Sequence, residues 1–145
     1  MNTATRYKQL IDDCFIALKQ LNENEAHIKP VGKWSKKEIL GHLCDSAINN
    51  IYRFMHLQQG HQIFKVVEYE QDLWVDQANY YMRSWSELIQ YWYALNITIV
   101  QISHSLVEQP TLKVQIGDSI EQASVLVEGY YNHLRHHFTQ LLNDE

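Results

Sequence analysis

Ile120, Ala123, Val127, Tyr130, Leu134, His137 and Leu141 follow one another at alternating steps of three and four residues without a miss. That spacing is the period of a helix seam, so a long amphipathic helix is predicted over residues 120–141 with these side chains on its buried stripe. One seam position is a histidine.

Three more segments repeat the pattern. Tyr7, Leu10, Ile11, Cys14, Leu18 and Leu21 share one face of a helix predicted over residues 3–21. Segment 22–34, NENEAHIKPVGKW, carries polar residues with Pro30 and Gly32 and reads as a connecting loop. Ser35 and Glu38 then make a capping-box signature, in which each side chain can satisfy the other's free backbone N–H. The helix it opens carries Ile39, Leu40, Leu43, Ala47, Ile51, Phe54 and Leu57 and stops at Gly60. Ser84 and Glu87 repeat the signature ahead of Trp85, Leu88, Ile89, Trp92, Leu95, Ile99, Ile102 and Leu106. Between these two helices, residues 61–83 are irregular, with a short helix expected near 70–79. TLKVQIG alternates Leu112, Val114 and Ile116 with polar residues and predicts an extended connector, since one strand alone makes no sheet.

With only two prolines and five glycines, the chain has few of the breakers that sandwiches and barrels need. Its 145 residues, 46% of them hydrophobic, suffice for one domain over 1–145 with a core of its own. Four helices of about 18 to 25 residues most simply bury their stripes in an all-α four-helix bundle. A net charge of −5 spread over mixed acids and bases supplies no basic stripe for nucleic acid. No apolar run is long enough for a membrane span, and the first residues do not read as a secretory signal, so a cytoplasmic location is expected. Cys14 and Cys44 fall inside predicted helices as small apolar fillers.

The histidines carry the chemistry. His133 and His137 lie one helical turn apart and can share one ion. Eight histidines in 145 residues would give roughly 0.4 such pairs by chance, so the spacing needs a context. On the second long helix His42 shares a face with Asp45, Ser46, Asn49 and Arg53. Such a stripe either faces solvent or, turned inward, requires water, an ion or a ligand beside it. His136 competes with His137 but lies farther from the seam. His27, His56, His61 and His104 stand alone.

WSKKEILGHLCDSAINNIYRF, then YEQDLWVDQANYYMRSWSELIQYW, then YYNHLRHHFTQLL follow in an order that resembles the DinB-like superfamily of DinB/YfiT-like metalloenzymes. The most specific part is the W-S-x-x-E-I-L-G-H-L-x-D block joined to a late H-x-x-x-H. The resemblance implies an up-down-down-up bundle, with the short extra helix lying between helices two and three. It also implies a divalent metal held by one histidine of the second long helix and two of the fourth, which here are His42, His133 and His137. The implied activity is that of a metal-dependent enzyme acting on a small molecule, either a hydrolase or an S-transferase with a low-molecular-weight thiol cosubstrate. The other reading is a noncatalytic, stress-associated bundle that binds metal or ligand. Members commonly pair, so a homodimer is expected.

Three neutral imidazoles suit zinc, nickel or another late first-row ion and leave a coordination position open. Each ligand ring needs an outer partner for its second nitrogen, and Asp45, Ser46 and Asn49 are candidates beside His42. Tyr130 is placed to offer a hydroxyl to the pocket. Glu68, Glu70 and Asp72 lie in the irregular segment, and none is assigned as general base. Tyr69, Trp74, Tyr80 and Trp85 either wall the pocket or pack in the core.

Overall fold

The computed structural model describes residues 3–60, 63–109 and 111–143. Its helices are α1 Thr3–Lys19, α2 Glu23–His27, α3 Lys36–Gln59, α4 Gln71–Ala78, α5 Trp85–Val107 and α6 Ala123–Leu142. A 3₁₀ turn, Tyr80–Met82, joins α4 to α5, and three short strands are β1 Phe64–Lys65, β2 Lys113–Ile116 and β3 Ser119–Gln122.

Capping chemistry sets where the long helices begin. Ser35 Oγ accepts the Glu38 N–H at 3.2 Å while Glu38 Oε1 accepts the Ser35 N–H at 3.0 Å, completing the expected box. At the start of α5 only half of the expected box forms. Ser84 Oγ accepts the Glu87 N–H at 3.1 Å, but Glu87 turns to Arg83 at 2.9 Å. A further box, Asn22 with Glu25, opens α2 inside the segment read as loop. Five residues are too few to leave an apolar period, so α2 had no signature but its cap. It is still structural: Glu23 accepts the Trp85 N–H at 2.7 Å and pairs with the buried ammonium of Lys37, tying the starts of α3 and α5 together.

Residue pairings fix the relative sense of the four long helices. Trp85 Nε1 donates to the carbonyls of Leu18 and Leu21, and Tyr93 donates to Asp12 at 2.9 Å, so α1 and α5 run in opposite senses. Helices α3 and α5 begin together at Glu23 and meet again where Ser105 donates to Gln58 at 3.3 Å, so they run parallel. Helix α6 opposes both, with Phe138 against Trp92 and Lys36 donating to the Leu141 carbonyl at 2.8 Å. Trp92, Tyr131, Phe54, Leu40, Leu43 and Leu88 are fully buried between them, each stabilising the fold by about 1.5–3 kcal/mol. Among the described residues no helix is long and apolar enough to cross a membrane.

Two expectations are corrected. The alternating segment after α5 is not an isolated connector but the centre of a three-stranded sheet ordered β1-β2-β3. Strand β2 pairs in parallel with β1, Val114 opposite Phe64, and antiparallel with β3, Gln115 opposite Ile120. Gly117, at φ +59°, makes the tight turn between β2 and β3. Ile120, read as the first seam residue, is therefore in a strand and 52% exposed, and α6 starts at Ala123. Its three-residue step to Ala123 mimics a helix because SIEQ carries a single apolar residue. The second correction lies at the other end of the seam, where Phe138 is buried and His137 only half-buried. The seam itself continues, since Leu134 and Leu141, one turn before and one turn after, are both fully buried, and His137 departs from it because its ring nitrogens face His133 and Gln140.

Candidate metal centre

His42 sits within the first two turns of α3, on the segment whose start is fixed by the Ser35–Glu38 box, and is 0% exposed. His133 and His137 occupy successive turns of α6, which packs against α3. The helix pairing brings all three rings together, with centroids 5.3 Å apart for His42–His133, 4.8 Å for His42–His137 and 4.5 Å for His133–His137. One nitrogen from each can be chosen so that all lie within 4.8 Å of one another. His136 is exposed on the outer face of α6 and is not one of this group.

The donor set fits a divalent ion. Ligand nitrogens around one tetrahedral ion at 2.0–2.1 Å lie about 3.3 Å apart, and His133 Nε2 and His137 Nε2 are already 3.1 Å apart. Both ring nitrogens of His42 are buried with no hydrogen-bond partner, an arrangement that costs free energy unless something else satisfies one of them. Burial, reinforced by the neighbouring histidines, pushes the pKa of His42 and of His133 down to about 4. Burial lowers His137 as well, with Gln140 opposing. At neutral pH the rings are therefore in the unprotonated form that coordinates a metal. Gln140 Oε1 lies 3.1 Å from His137 Nδ1; with the amide oxygen accepting, Nε2 of His137 keeps its lone pair toward the other rings.

The polar stripe of α3 turns inward. Asp45 is 1% exposed and Ser46 3%, while Asn49 and Arg53 are half-buried. Asp45 Oδ1 accepts the Tyr80 hydroxyl at 2.6 Å, and its Oδ2 has no partner. Burial raises the Asp45 pKa to about 6, with the tyrosine bond opposing. Of the residues nominated around the histidines, Ser46 and Tyr130 line a cleft of about 330 Å³ together with His133. Asn49 does not reach a histidine and donates to the Asp45 carbonyl at 2.8 Å. The Tyr130 hydroxyl is committed to Asn96 on α5. Glu68 and Tyr69 also line the cleft, whereas Asp72 lies in another groove beside Trp34, and Glu70 precedes α4. Trp85 is core, and Tyr80 is a buried hydrogen-bond donor.

Sequence reasoning missed three contributors. The Trp34 ring lies 5.1 Å from that of His42 and packs against it. Gln140 holds His137, and its only sequence signal is its i+3 spacing from that histidine. Asn50, buried and donating to the Ser46 carbonyl at 2.8 Å, belongs to the cleft lining. Of the solitary histidines, His27 stacks on Tyr81, His56 lies against Tyr52, and His104 is 3.5 Å from Glu108. His61 lies outside the described residues.

A helical bundle that brings three imidazoles from two antiparallel helices to one point defines a class of candidate metal-binding bundle, and a solved structure shares its fold. YfiT from Bacillus subtilis, described as a probable metal-dependent hydrolase with an unusual four-helix bundle topology, superimposes with a TM-score of 0.76 over 97% of this chain and 87% of YfiT at 18% identity. The chain thus shares the four-helix-bundle fold of YfiT. No protein-family model and no curated protein sequence matches it.

Proposed function

We propose that this protein is a metal-dependent hydrolase of a small molecule, using a zinc or nickel ion held by His42, His133 and His137. The observation that carries the reading is the convergence of three imidazoles, one of them with both nitrogens buried and unpartnered. The likeness in fold to a protein described as a metal-dependent hydrolase supports it. When bound, such an ion supplies Lewis acidity and an activated water at neutral pH. The chain's own part is to keep the three rings unprotonated by burial, to hold the His137 tautomer through Gln140, and to present Ser46, Asn50 and His133 along one cleft.

A thiol-transfer variant of the same chemistry would need a low-molecular-weight thiol as cosubstrate. Burial pushes the Cys14 thiol up to about 12 and the Cys44 thiol higher still, so neither is a nucleophile.

The test joins zinc titration to turnover. His42→Ala, His133→Ala and His137→Ala should each weaken zinc binding more than about 100-fold, beyond the 10–100-fold typical of losing an outer partner. His136→Ala should leave it within about twofold. Zinc-loaded wild type should hydrolyse members of an ester and amide panel at a rate abolished by chelation. Intact zinc binding with no turnover on that panel or on thiol–electrophile pairs would leave the noncatalytic metal-binding reading instead.

A further inference from the structure

The cleft that begins at His133 ends at Arg53. We infer that it selects a small molecule carrying a carboxylate at the end remote from the histidines, an inference that rests on the metal-dependent reading of that centre.

Arg53 is the observation that points there. Its side chain is half-buried and held in place, one terminal nitrogen donating to the Val67 carbonyl at 2.8 Å and the guanidinium lying 5.9 Å from the centre of the Tyr69 ring. Yet among the described residues no carboxylate lies within 4.0 Å of it. A guanidinium carries five N–H donors in a rigid fork, and one carbonyl satisfies only part of it. Preorganised and unpaired, the fork matches the two oxygens of a carboxylate. Glu68 shares the cleft wall, but it is exposed and makes no ion pair with Arg53. One cation beside one acid favours a monoanion over a phosphate dianion, which would meet a single positive charge and a negative neighbour.

Polarity along the cleft agrees with a bifunctional ligand. Ser46 and Asn50, 3% and 6% exposed, lie on α3 between His42 and Arg53, while Ile116 and Leu126 close the opposite wall. His42 and Arg53 are eleven residues apart on α3, about 16.5 Å along the axis. The arginine stem leans back toward the helix N-terminus, which leaves roughly 10–13 Å from the histidine cluster to the guanidinium. A cleft of about 330 Å³ is at the small end of ligand sites, so the molecule is short and linear, not a polymer.

Suberic monohydroxamate tests this, because its hydroxamate seeks the metal and its chain carries a carboxylate across about that span. Its methyl ester lacks the charge, and succinic monohydroxamate is too short. By calorimetry on zinc-loaded protein, the suberic acid form should bind about 10- to 100-fold more tightly than its ester, a range set by one charge-assisted contact. Arg53→Gln should bring the two within about twofold without weakening the ester, and Arg53→Lys should keep part of the preference. The succinic pair should show none. Equal binding of suberic acid and ester by wild type, or a preference that survives Arg53→Gln in a protein of unchanged thermal midpoint, overturns the inference while leaving the metal centre standing. If the protein takes up no zinc, the metal reading fails by itself. The carboxylate site is then read on the metal-free protein from the Arg53 Nε–H NMR signal. That signal should shift with octanoate and not with methyl octanoate, and an unmoved signal overturns the site.

Discussion

Replacing Gly41 with alanine sets a local helix preference against a tertiary contact. A Cβ built at Gly41 would lie 2.1 Å from Tyr80 Cδ2, 2.2 Å from Cγ and 2.8 Å from Cβ. The ring is tied to Asp45 by its hydroxyl, and Cβ stays where the backbone puts it however the side chain rotates, so rotation alone does not clear every contact and Tyr80 itself must move. Tyr80 follows Asn79, held at φ +53°, and its hydroxyl is bonded to the buried Asp45 carboxylate at 2.6 Å. Overpacking costs about 1–3 kcal/mol. Losing a hydrogen bond to a charged group costs about 1.5–3 kcal/mol more. Exchanging glycine for alanine inside a helix returns about 0.5–1 kcal/mol. The balance is a destabilisation of about 2–5 kcal/mol, or a drop in Tm of about 4–20 °C for a chain of this size. Urea and thermal denaturation of the metal-free protein read it directly. The decisive comparison is the double substitution, since Tyr80→Gly removes all three clashing atoms. In that background Gly41→Ala should become neutral or stabilising by up to about 1 kcal/mol. A Gly41→Ala variant as stable as wild type, or one equally damaging with and without the Tyr80 side chain, would refute the reasoning.

Two further outcomes follow from the buried ionisable groups. Because His42 and His133 are held down to about 4, protons should not displace zinc near pH 6.5, where a free imidazole titrates, but only as pH falls toward 4. A competitive titration with its midpoint near 6.5 would contradict this. Asp45 runs the other way: with its pKa raised from 3.8 to about 6, the native protein holds a proton that the unfolded chain has already released, so wild type loses stability as pH rises through that interval. At 1.36 kcal/mol per pH unit the interval is worth about 3 kcal/mol. In urea denaturation of the metal-free protein, the stability of Asp45→Asn relative to wild type should rise by about that amount between pH 4 and pH 7.5, and a flat difference would count against a strained carboxylate.

The long helices were legible because their information is local. The Ser35–Glu38 box and the three- and four-residue steps of Ile39 to Leu57 depend only on neighbours in sequence, and α3 begins where they say. The short sheet was not legible for the opposite reason. Phe64 pairs with Val114 across the whole of α4 and α5, and no local period announces a two-residue strand. The histidines fell between these cases. Spacing placed His133 and His137 on one face, and resemblance joined them to His42, but periodicity alone left the stripe of His42, Asp45 and Ser46 free to face water or the interior. Its direction is decided by what packs over it: Tyr80, from the turn after α4, covers Asp45, and Tyr69 lies in the wall beside Ser46. Those contacts are tertiary, and so were Trp34 over His42 and the use of Gln140.

The same burial that makes the histidine cluster costly makes it competent. An imidazole in water is partly protonated near neutral pH and must lose that proton before it can bind a cation. Packing α6 against α3 removes the solvent that would stabilise the imidazolium, and each ring's neighbours oppose a second charge at the same point. The unprotonated state is thus fixed by the fold before any ligand arrives, and the cost falls chiefly on His42, whose two nitrogens are sealed without partners. An apolar residue at 42 would remove that cost and, being well packed, would stabilise the metal-free bundle. The histidine is therefore better explained by what it can bind than by what it contributes to folding, and substitution of His42 by leucine should separate the two by gaining stability as it loses zinc.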